Sequence, residues 1–429
     1  MKRALLLTYY VPPRAAVASV RTGQLIETLR RYDWEVVPVT PDLGDVRYDS
    51  YVRTTGVVDF KAPVRKLLGV GNTQSTHERF GVERVMVDSR RSLLQSAIRL
   101  GHDVTEYANR SFGWIGPGVR AVNELLRNEH FDAVISTSPP ETTHLVAARV
   151  HGDLPWIADF RDPWLRAQGG MRARRPLFAA MDEIIAPHTL RTASALTTVS
   201  EPLAQALREK FPHTPVHSIP NAFSASDFDG IEFTDPARCT LLYAGQLYGG
   251  RCDPRPLFSA VSQLLHDGLV RPDELVLDFY GDNTEWLQSE VRRAGIGSII
   301  KLHGFRPRQE ILRLERSASR LLMFLWNDPN ERGTYTGKLF EYLGARRRII
   351  AIGGPDDTVI DDVLHHTHAG QRYRTVAGLR DAVMQAVSEW RSHDTPIVPA
   401  EAVAPYESDH LGRQFAEILE RATSRLTLS

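Results

Sequence analysis

The chain alternates between two patterns. Short apolar runs bounded by turn residues read as buried strands, and longer stretches with apolar positions three and four apart read as amphipathic helices. Residues 4–10, ALLLTYY, predict a strand that ends in the loop VPPRAAVAS. VRTGQLIETLRRY then has helical spacing, and EVVPVT returns to a strand. A strand–helix–strand unit is the start of a parallel sheet. The theme repeats through FDAVISTSPP, ETTHLVAARVHG, PWIADFRDPW, ALTTVSEPLAQALREKF and VHSIPNAF, which closes one doubly wound domain near residue 222. Residues 45–130 interrupt the pattern with arginine-rich pieces such as RRSLLQSAIRL and GVRAVNELLRN. They predict a helical insertion packed on the sheet; the alternative is a membrane-surface or acceptor-docking role.

Residues 224–238, SASDFDGIEFTDPAR, are polar and turn-rich and read as a linker. A second alternation starts at CTLLYAG. It runs through LFSAVSQLLHDGL, ELVLDFYGD, WLQSEVRRAG, IIKLHGF, RQEILRLERSA, RLLMFLW and GKLFEYLGARR to RIIAIGG. DHLGRQFAEILERATSRL is an amphipathic tail helix. The fold class is therefore α/β, with two Rossmann-like parallel-sheet domains. Domain boundaries are expected at 1–222, completed by the tail helix 408–429, and at 223–407. Ligands of such sheets bind outside the carboxyl ends of the strands, so two facing domains create a cleft suited to joining two substrates.

Length agrees with this division, because 429 residues exceed one ordinary core. Lys+Arg and Asp+Glu both total 52, which argues against a dedicated nucleic-acid binder. Residues 1–222 hold 28 basic and 23 acidic residues, and the remainder holds 24 and 29. This asymmetry permits an anionic partner for the first half without requiring one. Two cysteines, Cys239 and Cys252, make no disulfide framework and suggest a reducing compartment. The opening MKRALLLTYYVPP reads as a first strand rather than a targeting segment, and no run approaches membrane-spanning length. The expected location is cytoplasmic, with room for peripheral membrane contact.

The stretch TYTGKLFEYLGARRRIIAIGG, residues 334–354, poses the sharpest chemical question. A turn leads into a helix that carries Lys338 and Glu341 at its start, ahead of an apolar strand. On a solvated face such an i, i+3 pair adds only about 0.2–0.5 kcal/mol. Elsewhere, DFRDPW concentrates Asp159, Arg161 and Asp162 at a strand end, where they can either brace the loop or orient a substrate. Ser200 precedes Glu201–Pro202 as a helix cap.

The order and spacing of TYYVPPRAAVASVR, VISTSPPETTH, DFRDPW, TVSEPLAQAL, IPNAF, LLYAGQLYGGR, LHGF and GKLFEYLGARRRIIAIG resemble the GT-B glycosyltransferases, and within them glycosyltransferase family 4. The resemblance implies a retaining, metal-independent transfer of a sugar from a nucleoside diphosphate sugar, UDP ahead of GDP, to a hydroxyl acceptor. It places the donor in the second domain. The acceptor belongs to polysaccharide, glycolipid or other glycoconjugate assembly and can be lipid-linked. Glu341 would accept hydrogen bonds from both ribose hydroxyls, since a carboxylate offers two oxygens to a cis-diol. Arg251 would hold the diphosphate, with Lys338 in support and the backbone at Gly245 approaching closely. Gln246 stands where relatives carry an arginine. Phe305 and Arg306 would lie beside the base, with a core-packing role for Phe305 as the alternative. Gly333 replaces a second glutamate, so the sugar would meet either Glu331, two residues away on a reshaped loop, or the backbone of Thr334, Tyr335, Thr336 and Gly337. On the acceptor side the resemblance points to Arg14, Arg161 and Asp162, and it gives His144 and Asp159 catalytic roles. No metal and no cofactor are implied. The rivals are a sugar-nucleotide epimerase on the same architecture and a non-catalytic nucleotide-sugar-binding partner.

Overall fold

A computed structural model describes residues 1–14, 17–59, 112–162, 164, 176–281 and 284–426. The first domain is built from β1 (Lys2–Leu7), α1 (Val17–Leu29), β2 (Trp34–Pro41), β3 (Arg53–Thr55), α2 (Ile115–Asn128), β4 (Ala133–Ser138), α3 (Thr142–Val150), β5 (Trp156–Phe160), α4 (Pro176–Leu190), β6 (Ala195–Thr198), α5 (Glu201–Lys210) and β7 (Val216–Ser218). All paired strands are parallel, in the order β3-β2-β1-β4-β5-β6-β7. The order reverses direction at β1 and β4, so the crevice of this domain opens between the loops that follow those two strands. The expected helix GVRAVNELLRN is α2, whereas RRSLLQSAIRL lies outside the described residues.

The second domain repeats the plan with β8 (Cys239–Gly245), α6 (Arg255–His266), β9 (Leu275–Gly281), α7 (Glu285–Ala294), β10 (Ile300–Gly304), α8 (Arg308–Ser317), β11 (Arg320–Leu325), α9 (Gly337–Ala345), β12 (Ile349–Gly353), α10 (Val359–Thr367), β13 (Gly370–Tyr373) and α11 (Val376–Arg391). Its strand order is β10-β9-β8-β11-β12-β13, and the switch point falls between β8 and β11. Helices cover both faces of each sheet, which explains strands such as β11, RLLMFL, that are buried from end to end.

β4 is also fully buried although half its residues are polar. Each hydroxyl is committed: Ser136 Oγ receives Trp156 Nε1–H at 2.7 Å and lies 2.7 Å from His144 Nδ1, while Thr137 donates to Asp159 at 2.9 Å. Buried polar groups persist where partners satisfy them.

The linker expected over 224–238 is tied to the second domain. Residues Ala225–Phe228 form a short 3-10 turn that buries Phe228 in the second domain, and Arg316 Nη1 holds the carbonyls of Phe228 and Ile231. The outgoing and returning chains pair at Phe223, whose N–H donates to Tyr406 O at 3.0 Å and whose carbonyl receives Ser408 N–H at 2.8 Å. After the one-turn α12 (Ala400–Val403), the tail helix α13 (Ser408–Leu426) packs on the first domain. It inserts Leu411, Phe415, Ile418 and Leu419 beside Leu25 and Leu29 of α1, and Glu420 receives Trp34 Nε1–H at 3.0 Å.

Candidate functional site

The site grows out of the β8–β11 switch point. β8 ends at Gly245, and Gln246–Arg251 make a tight loop with Gly249 at φ 64° and Gly250 at φ 92°. Gly250 is required there: a Cβ would sit 2.6 Å from the Trp286 ring in addition to the left-handed backbone. Tyr243 OH donates to Gln246 O at 2.9 Å and fixes the loop's first turn. Arg251 is exposed and lies over the Trp326 ring at 4.9 Å, next to the antiparallel bridge between Cys252 and Trp326 that ties the β8 loop to the β11 loop. Both cysteines are free and buried, and burial pushes their thiols up, to about 12 for Cys239 and about 11 for Cys252.

On the other wall, Thr336 caps α9 by accepting from Lys338 N–H at 3.1 Å. That cap fixes the start of α9, whose first two turns carry Lys338 and the part-buried Glu341. Lys338 Nζ donates to Glu341 Oε1 and lies 3.5 Å from Glu315 Oε1. Arg308 Nε stands 3.7 Å from Glu341 Oε2 and its guanidinium pairs with Asp227 at 2.8 Å. Burial opposes the Glu341 charge, but Lys338, Glu315 and Arg308 outweigh it and hold the carboxyl below its usual range. Burial likewise opposes the Lys338 charge, and the two glutamates outweigh it. The answer to the question posed by residues 334–354 is that Lys338 and Glu341 belong to a five-residue charge network on the crevice wall. It is not a solvated helix pair.

Glu315 and Arg308 escaped the sequence reading. A signal existed: Glu315 follows Ile311 by four and Leu312 by three, which places a carboxyl on the apolar stripe of RQEILRLERSA. Phe305 is 85% exposed at the end of β10, which removes a core-packing role and leaves its ring free to stack. Arg306 is exposed beside it, 3.7 Å from Glu310. Tyr335 packs edge-on to Phe340.

Gly333 lies at the contact between the domains. Ser200 Oγ donates to Gly333 O at 2.6 Å, and a Cβ on Gly333 would meet Leu203 and Pro202 at 3.3 Å. Ser200 holds the expected cap position ahead of α5, but its hydroxyl reaches across the cleft and leaves that helix uncapped by a side chain.

Three first-domain expectations are corrected. Asp159 does not face the cleft. It is fully buried, and it accepts from Arg21 (2.9 and 3.1 Å), Thr137 (2.9 Å) and Thr197 (2.7 Å). Burial opposes its charge, but Arg21 and these hydrogen bonds overcome that and lower its pKa. Arg21 also donates to the carbonyls of Ile219 and Pro220 and to Asn221 Oδ1, so the pair braces the chain where it leaves the domain. Arg14 is buried, donating to Asp45 (2.6 Å) and Tyr48 (3.0 Å) within its own domain. His144 is fully buried, tilted against Phe160 at 4.4 Å and stacked with Trp164 at 6.1 Å; burial drives its pKa to about 3. It is a neutral packing residue in this arrangement, although its Nε2 has no partner. Arg161 and Asp162 stay half-buried at the rim, Arg161 Nε reaching Ser138 O at 3.4 Å. Among the described residues no three His, Cys, Asp or Glu side chains converge as metal ligands, and no helix is long and apolar enough to cross a membrane.

Residues 18–222 match the family model described as a glycosyl transferase 4-like domain. No curated protein matches the chain in sequence. In fold the chain is similar to sucrose-phosphate synthase from Thermosynechococcus elongatus, with 13% identity over 99% of this chain and 100% of that chain and a TM-score of 0.64. It is similar to S. aureus TarM, solved as a mutant with Fondaparinux, alpha-GlcNAc-glycerol and UDP, with 8% identity, 98% and 100% coverage and a TM-score of 0.59. A UDP-GlcNAc 2-epimerase from Methanocaldococcus jannaschii follows at 12% identity, 98% and 100% coverage and a TM-score of 0.51.

Proposed function

We propose, from the premise that residues 18–222 belong to the glycosyl transferase 4-like family within a GT-B chain, that this glycosyltransferase moves a sugar from a nucleoside diphosphate sugar to a hydroxyl acceptor. The observation that carries the reading is the crevice-facing carboxylate of Glu341, held between Lys338 and Arg308 at the switch point of the second sheet. A carboxylate so fixed is suited to a ribose cis-diol. Arg251, on the glycine-bent loop across from it, supplies positive charge where the departing diphosphate becomes more negative. Phe305 offers an exposed ring for the base. UDP is favoured over GDP because the similar TarM was solved with UDP and the similar epimerase is a UDP-GlcNAc 2-epimerase.

The proposed transfer retains anomeric configuration and uses no metal. The leaving diphosphate takes the acceptor's proton as the acceptor oxygen attacks the same face, so no enzymic nucleophile is needed. Gly333 lacks the carboxylate that relatives present to the donor sugar, and the backbone from Thr334 to Gly337 takes that place. The acceptor lies against the first domain near Arg161 and Asp162, and its chemistry is that of glycoconjugate assembly. Incubation with UDP-sugars or GDP-sugars tests the reading. Donor consumption that requires an added acceptor and is lost in Glu341→Ala supports it. Release of a free epimer without acceptor selects the epimerase instead, and nucleotide binding with no turnover of any donor selects a binding partner.

A further inference from the structure

Glu315 sits in the last turn of α8 with its side chain fully buried, and neither carboxyl oxygen has a hydrogen-bond donor. A carboxylate left alone in a dry interior is costly enough that it would sooner hold a proton. The groups facing it come from three elements. α9 presents Lys338, with Nζ 3.5 Å away and also donating to Glu341, then Glu341 itself, which shares that ammonium, and Tyr342, whose phenol oxygen accepts from Ala244 N–H at 3.3 Å. Arg308, on Glu315's own helix, stands 3.7 Å from Glu341 and is paired with Asp227 from the short turn Ala225–Phe228. One ammonium therefore serves two carboxyl groups. If both were ionised, the cluster would keep an unbalanced negative charge; one proton between them removes it.

We infer that Glu315 is a positioning residue for the donor site, a neutral acid that donates a hydrogen bond to the Glu341 carboxylate and so orients it toward the ribose diol. The count of lone pairs supports this. A carboxylate has about four acceptor sites. Lys338 takes one and the Glu315 proton a second, which leaves two for two ribose hydroxyls. Loss of the proton places a second negative charge beside Lys338, draws the ammonium from Glu341 and leaves Glu341 free to turn. Burial first, and the adjacent Glu341 charge second, push the Glu315 pKa well above the usual carboxylate range.

The inference rests on the donor-binding reading of the same crevice. Its test is the dissociation constant of UDP and of GDP, measured by calorimetry on the full chain from about pH 6 to about pH 9, the range in which buried glutamic acids titrate. The wild type is expected to weaken about 10-fold or more across that range. Glu315→Gln, whose amide keeps a donor but cannot ionise, is expected to match wild type within about threefold at the acid end and to stay flat. Glu315→Leu is expected to bind about 10-fold more weakly at every pH. The nucleotide's own titration is common to all three proteins. Parallel profiles for wild type and Glu315→Gln overturn the inference alone. Failure of the wild type to bind either nucleotide at any pH overturns the donor-site reading and the inference with it. Should Glu315→Leu not fold, the Glu315→Gln profile decides.

Discussion

Asp159 separates a structural account of the DFRDPW motif from a catalytic one, and its replacement is the most informative stability experiment on this chain. Asp159→Ala removes the acceptor for four hydrogen bonds, two from Arg21 and one each from Thr137 and Thr197. It strands the Arg21 guanidinium in a position only 2% exposed. Removing one partner of a buried pair costs about 3–5 kcal/mol, because the remaining charge stays desolvated. For a domain of this size, about 1 kcal/mol moves the melting temperature by about 2–4 °C, so the first domain should melt about 6–20 °C lower. The loss should shrink when Arg21→Met is combined with Asp159→Leu, since no charge is then orphaned. Sign and pH agree with this. The folded carboxyl titrates below the usual 3.8 of an aspartate, so its stabilisation is present above that value and disappears as acid protonates it. Asp159→Asn should therefore flatten the loss of stability below about pH 4. Calorimetric scans and denaturant titrations on the full chain measure both effects. A variant that melts within about 2 °C of wild type yet has lost turnover would refute the bracing role and restore the catalytic one.

Four further outcomes follow from the same geometry. Arg251→Ala should lower turnover by about 100–1000-fold, the loss of one transition-state charge contact, while unfolding is unchanged because its side chain is exposed on the crevice; steady-state kinetics check this. Gly333→Ala should weaken the contact between the domains by about 1 kcal/mol, because its Cβ at 3.3 Å from Leu203 and Pro202 makes them give by a few tenths of an ångström, and scattering of the free protein should report a more open pair of domains. Ser200→Ala should act in the same direction by about 0.5–1.5 kcal/mol through loss of the bond to Gly333 O. His144 is held neutral, with its pKa lowered from 6.5 to about 3, so it adds stability above about pH 6.5 that fades as acid is added; His144→Gln should make the acid limb of the unfolding curve shallower without moving the pH dependence of turnover near neutrality.

The alternation of patterns carried most of the architecture. β4, β5, β8, β11 and β12 are fully or almost fully buried runs with no ambiguity of period, and both sheets follow from them. Elements with less contrast were missed. β13, GQRY, is a polar edge strand, and α4 carries Pro187 within PLFAAMDEIIAPHTL. α11 was legible in principle, since Leu379, Ala382, Val383, Ala386 and Val387 mark one apolar face. At the site, Lys338 and Glu341 were visible because their spacing and neighbours are local. Their partners Glu315 and Arg308 come from another helix, and no local pattern announces a charge that tertiary packing completes. The same limit explains Asp159 and Arg14. Each is a charged residue at a strand end or loop, where a cleft role and a buried brace look alike until Arg21 in one case and Asp45 in the other is brought alongside.

The central claim is that the second domain grips a nucleoside diphosphate through Glu341 and Arg251. A crystal structure of the chain grown with UDP, or with GDP if UDP does not bind, tests it directly. The ribose hydroxyls should lie within hydrogen-bond distance of the two Glu341 oxygens, with the phosphates at the Gly245–Arg251 loop. A nucleotide bound in the first domain's crevice, or one whose ribose leaves Glu341 untouched, would contradict the account.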